Sequence, residues 1–158
     1  MLSEEKALEG SIKKSSDVAN YLMPIMRDLK KERFVLLLLD RRNAVSDMID
    51  IDYGTVDRAN PYIRDIIQTA IKYNAPSIIV AHNHPSGAVT PSNDDKAFTR
   101  SLMMATKATG ISFLDHIIIG DNRYFSFADE GLIEKYEMKA IRESVSYTHL
   151  TLPTICSV

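Results

Sequence analysis

The chain runs Ser77-Ile78-Ile79-Val80-Ala81-His82-Asn83-His84 near its middle, an apolar stretch of strand length that leads into two histidines. Residues two apart on an extended segment project to the same side, so both imidazoles can face one ion. Asp95 follows His82 by thirteen positions and adds a carboxylate. Two nitrogens and one oxygen are ligands typical of an open catalytic zinc site. The pattern therefore predicts a metal-dependent hydrolase centre.

The composition is that of one globular domain. The 158 residues are 45% hydrophobic and 25% charged, enough to bury one core. The formal net charge of −2 argues against a broad nucleic-acid surface, although it leaves room for a local basic patch. No run approaches the roughly 18 apolar residues of a membrane span, and the acidic start at 1–5 has no apolar signal segment behind it. We therefore expect a cytoplasmic protein without a membrane partner.

We divide the chain into a lead segment at 1–15, one domain at 16–143 and a tail at 144–158. The tail has no basic residue, continues no upstream pattern, and resembles the in-frame translation of a sequencing adapter, so we expect it to be non-native. A native disordered tail is the alternative. Because Cys156 is the only cysteine of the chain, the core without the tail cannot form thiolate zinc sites or disulfides.

Hydrophobic periodicity, capping residues and turn signals predict the element order αββαβαββα. The predicted elements are helices at 16–31, 60–73, 93–109 and 132–142, and strands at 33–40, from the turn at 41–43 to about 51, and at 77–81, 111–119 and 124–127. This order implies an α/β fold with a mixed sheet flanked by helices. It also predicts a metal site where a strand runs into a loop.

The spacing of the polar residues is specific enough to resemble a known family. After His82-Asn83-His84 come seven residues, Ser92, two residues and Asp95, which resembles the JAMM metal motif of JAB/MPN domains. The segments at 114–120 and 126–132 resemble the RadC-like branch of that family, and the similarity covers roughly 16–133. The resemblance implies the JAB/MPN, cytidine-deaminase-like sandwich. The helix-hairpin-helix region of longer RadC-like proteins has no counterpart in this sequence, so DNA repair is the weaker inference.

The resemblance also implies a role for each motif residue. His82, His84 and Asp95 would bind Zn2+, with water in the fourth position. Glu32 matches the upstream glutamate of the family and would act as general base. Ser92 would hydrogen-bond the oxyanion of a tetrahedral intermediate. The implied reaction is hydrolysis of a peptide or isopeptide bond in a peptide or protein-conjugate substrate.

Several of these residues also have a purely structural interpretation. Ser92 and Asp95 fit a helix capping box, and Glu32 could be a solvated carboxylate in the charged cluster at 30–33. We expect Asn83 to shape the metal loop together with residues 85–87. His116 is expected to be a hydrogen-bonded core residue, and a role for Asp115 or His116 behind the metal ligands is the alternative.

Two other classes of function stay open. One is a DNA-repair-associated or metal-dependent nucleic-acid-processing accessory protein. The other is a non-catalytic MPN-like interaction module, which the complete set of ligands disfavours because silent domains of this kind usually lose ligands. The sequence leaves the physiological substrate and the oligomeric state open.

Overall fold

A computed structural model describes residues 10–52, 61 and 63–156, with side chains as far as residue 145. The elements are α1 (Ser15–Met26), β1 (Phe34–Leu39), β2 (Val45–Asp50), α2 (Ile63–Lys72), β3 (Ser77–Asn83), α3 (Asn93–Thr109), β4 (Ser112–Ile119), β5 (Tyr124–Ser126) and α4 (Leu132–Cys156). The predicted order αββαβαββα is confirmed. Among the described helices, none combines the length and apolarity that a membrane span requires.

The five strands form one mixed sheet in the order β2-β1-β3-β4-β5. β3 and β4 are parallel, as their connection through α3 requires, and the other neighbouring strands are antiparallel. All side chains of β1 and β3 are buried because both strands lie inside the sheet. This burial on both faces explains the uninterrupted apolar run in β1. The predicted α/β fold with a mixed sheet flanked by helices is confirmed.

The sheet separates two apolar cores. On one face, α1 packs its buried residues against alternate side chains of β1, β3 and β4, and this core contains Val18, Leu22, Met26, Val35, Leu37, Leu39, Ile79, Ala81, Ile117 and Ile119. On the other face lie α2, α3 and α4, and that core includes Leu36, Leu38, Ile66, Ala70, Ile78, Val80, Phe98, Leu102, Ile118 and Tyr136. The alternation along β3 puts His82 on the α3 side of the sheet, in register with Ile78 and Val80.

Some elements end earlier than predicted. α1 ends at Met26 and not near residue 31. The Asn83 side chain binds the backbone of Lys31 and Arg33, which lie outside the helix. β5 ends at Ser126, one residue earlier than predicted. The predicted start of the second helix at Asn60 lies outside the described residues.

The last helix also differs from its predicted end at residue 142, since α4 continues to Cys156. Residues 143–152 contain neither glycine nor proline, so nothing in their backbone chemistry stops the helix. Of its side chains that the structure describes, Ile133, Tyr136 and Ala140 are buried, whereas residues 141–145 are exposed. The division of the chain at residue 144, and the non-native origin of the tail, stay predictions.

Candidate metal centre

The two histidines extend from the carboxyl end of β3. His82 is buried within the strand, and the backbone N–H of His84 donates to the carbonyl of Ile119 at 2.9 Å. This bond continues the extended backbone one residue beyond the strand. The imidazoles consequently face each other, with their Nε2 atoms 3.1 Å apart. This geometry agrees with the prediction that both imidazoles can face one ion.

Asp95 approaches the same point from the first turn of α3. Its Oδ1 lies 3.3 Å from His82 Nε2, and its Oδ2 lies 3.2 Å from His84 Nε2. A capping box orients this carboxylate. The Ser92 N–H donates to Asp95 Oδ2 at 2.9 Å, while the Asp95 N–H donates to Ser92 Oγ at 3.0 Å. The structural interpretation of this pair is therefore compatible with a metal role, since the cap aims the carboxylate at the two imidazoles.

Glu32 reaches the site from the connection between α1 and β1. Its Oε1 is 3.6 Å from His82 Nε2, and its side chain is 41% exposed. Ligand atoms of Glu32, His82 and His84 all lie within 4.8 Å of one another, so this group could hold a metal ion. Asp95 belongs to the same cluster through its contacts with both imidazoles. Four of the five predicted site residues thus converge, and Ser92 stands beside them as the helix cap.

Asn83 holds the segment that carries Glu32. Its Oδ1 accepts a hydrogen bond from the N–H of Arg33 at 2.6 Å, and its Nδ2 donates to the carbonyl of Lys31 at 3.0 Å. The side chain is almost completely buried. Because the two bonds bracket Glu32, Asn83 couples the position of the glutamate to the strand that carries both histidines. The sequence analysis predicted that Asn83 shapes the metal loop, but it did not predict this contact with a distant segment.

The donor set fits a small divalent cation. His84 Nδ1 is 3.1 Å from the carbonyl oxygen of Ala88, which can only accept, so Nδ1 carries the proton and Nε2 offers a lone pair. Ligand bonds of about 2.0–2.1 Å in a tetrahedron give edges of about 3.3 Å. The distances of 3.1–3.3 Å among the two Nε2 atoms and the Asp95 oxygens are close to that spacing. Such facing lone pairs and carboxylate oxygens are stabilised by a shared cation.

The charge state of Asp95 suits this role. Burial opposes its ionisation, but the proximity of His82 and the backbone N–H of Ser92 outweigh burial and hold the pKa of Asp95 well below its ordinary value. Asp95 is therefore a carboxylate at neutral pH. A negatively charged oxygen is the form in which aspartate binds metals.

His116 lies directly behind His82 on the neighbouring strand. It is completely buried and stacks on Phe127, with ring centroids 4.7 Å apart. Its Nε2 is 2.8 Å from His82 Nδ1, and its Nδ1 is 2.7 Å from the hydroxyl of Thr99. Burial lowers the pKa of His116 well below its ordinary value, so the ring is neutral. The expected core histidine is therefore hydrogen-bonded to one of the candidate ligands.

Asp115 has a different environment from His116, although the two are adjacent. Its carboxylate accepts hydrogen bonds from the His116 N–H, the Ser126 hydroxyl and the Ala128 N–H, at 2.8, 2.6 and 2.9 Å. These bonds join β4 to β5 and to the turn that follows. Burial raises the pKa of Asp115 to about 6, although the three donors oppose this change.

Thr99 was not among the residues that the sequence analysis singled out. It is completely buried one helical turn after Asp95 on α3, and its hydroxyl donates to the Asp95 carbonyl at 2.6 Å. The spacing of four residues from Asp95 was the available signal, because such residues share a helix face. Its contact with His116 depends on the packing of α3 against the sheet.

A mixed sheet between helical layers, with two histidines and two carboxylates at a strand end, defines an α/β domain with a candidate metal centre. Comparison with known families identifies its class, because residues 12–132 match the RadC-like JAB domain. The chain belongs to this family, as the sequence resemblance indicated.

Bacterial UPF0758 proteins have similar sequences. A UPF0758 protein of Staphylococcus aureus strain NCTC 8325 is 44% identical over 124 residues, which cover 78% of this chain and 57% of that protein. A UPF0758 protein of Actinobacillus pleuropneumoniae serotype 5b is 48% identical over 101 residues, which cover 64% of this chain and 46% of that protein. The chain thus spans about half the length of these curated relatives.

Proposed function

We propose that this protein is a zinc-dependent hydrolase of peptide or isopeptide bonds. The observation that carries the proposal is the convergence of Glu32, His82, His84 and Asp95 at the end of β3. Two imidazoles and a carboxylate are the ligand types of catalytic zinc sites in metalloproteases. Membership of the RadC-like JAB domain family agrees with this chemistry.

His82, His84 and Asp95 are the residues that would hold the ion. Zinc at this position would act as a Lewis acid and activate a water molecule near neutral pH. The hydrogen bond of His84 Nδ1 to Ala88 and the capping box at Asp95 keep both ligands oriented toward the ion. Orienting bonds of this kind strengthen metal binding, because the ligands do not have to be ordered when the metal arrives.

Glu32 is the proposed general base. It is a carboxylate within 3.6 Å of His82 Nε2, and its partial exposure leaves it accessible to water and substrate. A base in this position accepts a proton from the attacking water and delivers it to the amine that leaves. Asn83 holds the backbone on either side of Glu32, which anchors the base to the strand that carries both histidines.

Ser92 is the proposed stabiliser of the oxyanion. Its oxygen already accepts the N–H of Asp95, but a hydroxyl can donate its own hydrogen at the same time. A donor fixed beside the metal ligands can therefore bind the negative oxygen that develops when a carbonyl is attacked. The cap role and the catalytic role use different lone pairs and hydrogens of one side chain.

The number of candidate metal groups favours a peptide substrate over a phosphodiester. Many nucleases and phosphatases use two metal ions about 3.5–4 Å apart as a clamp on the attacking and leaving oxygens. In the parts of the chain that the structure describes, the histidine and carboxylate groups assemble one candidate metal group. The net charge of −2 also provides no general attraction for nucleic acid.

Our first test combines zinc content with cleavage. Zinc would be measured by elemental mass spectrometry, and hydrolysis would be followed with fluorogenic peptides linked through either the α- or the ε-amine of lysine. We expect Glu32→Gln to retain about one zinc per chain and to lose about 100- to 10,000-fold in kcat. We expect His84→Ala to lose both zinc and cleavage. Glu134→Gln, an exposed carboxylate change on α4, is the matched control and should retain both.

The other outcomes separate the alternative functions. Undiminished cleavage in Glu32→Gln would remove the proposed base. Plasmid nicking that requires His82 and His84, without peptide cleavage, would favour a nucleic-acid-processing protein. A parent protein that binds no zinc after reconstitution would contradict the proposal and favour the interaction module.

A further inference from the structure

A continuous chain of buried hydrogen bonds connects two of the candidate ligands through Thr99 and His116, which are not themselves candidate ligands. The Thr99 hydroxyl is 2.6 Å from the Asp95 carbonyl and 2.7 Å from His116 Nδ1. His116 Nε2 is in turn 2.8 Å from His82 Nδ1. Thr99 and His116 are completely buried, so water does not compete for these bonds. The chain crosses from α3 to β4 and then to β3.

The chemistry of the end groups determines the direction of every bond. The Asp95 carbonyl can only accept, so the Thr99 hydroxyl donates its single hydrogen to it. The Thr99 oxygen must then accept from His116, which places the His116 proton on Nδ1. Complete burial favours the neutral ring, and a neutral imidazole has one N–H. His116 Nε2 is therefore an acceptor, and His82 donates to it through Nδ1.

We propose that Thr99 and His116 are positioning residues that keep the proton of His82 on Nδ1 and thereby present its Nε2 lone pair to the metal. The inference rests on the proposed zinc site and extends it to residues that hydrogen-bond the ligands from behind. If the His116 proton moved to Nε2, His82 Nδ1 would have to accept. The proton of a neutral His82 would then occupy Nε2, the atom that faces His84 and Asp95. Zinc would have to displace that proton in order to bind.

The first test is Thr99→Val, which keeps the shape of the side chain. It removes the hydroxyl oxygen that accepts the hydrogen bond from His116. We expect the zinc dissociation constant, measured by chelator competition, to rise about 10- to 100-fold. Thr99→Ser restores the hydroxyl and should recover most of the affinity. His116→Phe, which preserves an aromatic ring against Phe127, should also weaken binding because His82 Nδ1 loses its acceptor.

Thr106→Val is the matched control for the loss of a buried hydroxyl. Thr106 is on the same helix, is equally buried, and donates to the carbonyls of Leu102 and Met103, outside the zinc site. We expect it to lower the free energy of unfolding about as much as Thr99→Val while leaving zinc affinity unchanged. A loss of zinc affinity in both variants would indicate general destabilisation and would overturn the proposal.

Nitrogen-15 NMR of the imidazoles gives a second readout that does not depend on catalysis. In the zinc-loaded parent protein we expect protons on Nδ1 of both His82 and His116. In Thr99→Val we expect the His116 proton to redistribute toward Nε2. A His116 proton on Nε2 in the parent, or unchanged zinc affinity in folded Thr99→Val, would overturn the inference. A parent that binds zinc but cleaves no peptide would remove the proposed hydrolase activity alone, whereas one that binds no zinc would remove both.

Discussion

At the residue scale, the buried polar side chains serve partners that lie far away in sequence. Asn83 is adjacent to two candidate ligands but points its amide at the backbone on either side of Glu32. His116 bonds to His82 and to Thr99, which precede it by 34 and 17 positions. Since each of these groups is buried, its loss leaves a partner without a hydrogen bond in an environment that water does not reach.

Asn83→Ala should release the segment that carries Glu32 without removing a metal ligand. The variant removes one donor and one acceptor, and we expect a loss of about 1–3 kcal/mol in the free energy of unfolding for the unpaired backbone groups. Zinc content should be retained, whereas kcat should fall. Hydrogen exchange at the Arg33 amide should accelerate, because that amide donates to Asn83. Unchanged protection of this amide would contradict the assigned contact, and Asn93→Ala at an exposed position is the control.

Asp115 should make stability depend on pH. Burial raises its pKa to about 6, above the ordinary value, so the folded protein binds this proton more tightly than the unfolded chain does. The proton on Asp115 therefore adds to the free energy of unfolding. This contribution is fully present below pH of about 4 and is lost as the pH rises through about 6. Relative to Asp115→Asn, the free energy of unfolding of the parent should fall by about 2 kcal/mol between pH 4.5 and pH 7.

Urea unfolding of the parent and Asp115→Asn at both pH values measures this difference. The comparison with the variant cancels the titration of other carboxylates, which both proteins share. A stability gap between the two proteins that is equal at pH 4.5 and pH 7 would show that Asp115 has an unshifted pKa.

At the scale of elements, the metal loop at 84–92 is held at its middle and at its end. The Ser92 cap anchors its end to α3, and the turn between β4 and β5 supports its middle. In this turn the N–H of Asp121 donates to the carbonyl of Gly87 at 3.0 Å, and Gly87 itself has a φ of 85°, which favours glycine. Gly120 faces the same carbonyl so closely that a Cβ atom there would collide with Gly87 and Val89.

Gly120→Ala should therefore disturb the metal loop from outside the site. The added methyl must displace the backbone at Gly87, and we expect about 1–3 kcal/mol of destabilisation together with weaker zinc binding. Gly110→Ala is a useful comparison, because Gly110 has open space around it and a φ of 73°. It should destabilise the end of α3 by about 1 kcal/mol without changing zinc affinity. Chemical unfolding and chelator competition on both variants test the distinction.

At the scale of the whole molecule, the two apolar cores cover both faces of the sheet. The candidate ligands lie at one end of β3, whereas the buried aliphatic side chains extend along all central strands. Burial of one such side chain contributes about 1.5–3 kcal/mol. We therefore expect the metal-free protein to be folded and zinc to add stability in proportion to its binding.

Thermal unfolding should show this linkage. The parent treated with chelator should unfold cooperatively, and zinc at about 100 times its dissociation constant should add about 2.7 kcal/mol. The His82→Ala/His84→Ala double variant should also fold but show no increase in its unfolding midpoint with zinc. A metal-free parent without a cooperative transition would indicate that the ion organises the fold.

The sequence was sufficient for the order of elements and for most residues of the candidate site. Local signals determined these features: the apolar run of β1, the Ser92 cap and Gly110 end of α3, and the spacing of the metal motif. Boundaries were less accurate where a distant group decides the backbone. The segment between α1 and β1 is bound by Asn83, a contact that joins residues about fifty positions apart.

What the sequence by itself determined is the identity and spacing of His82, His84, Ser92 and Asp95, because a strand end and the first helical turn bring these residues together through short loops. Only the tertiary structure decided what surrounds them. The pairing of β1 with β3 brings the segment of Glu32 beside His82, and the parallel pairing of β3 with β4 puts His116 behind it. The physical reason is that strand register and helix packing depend on the burial of both cores at once, which no local pattern in the chain encodes.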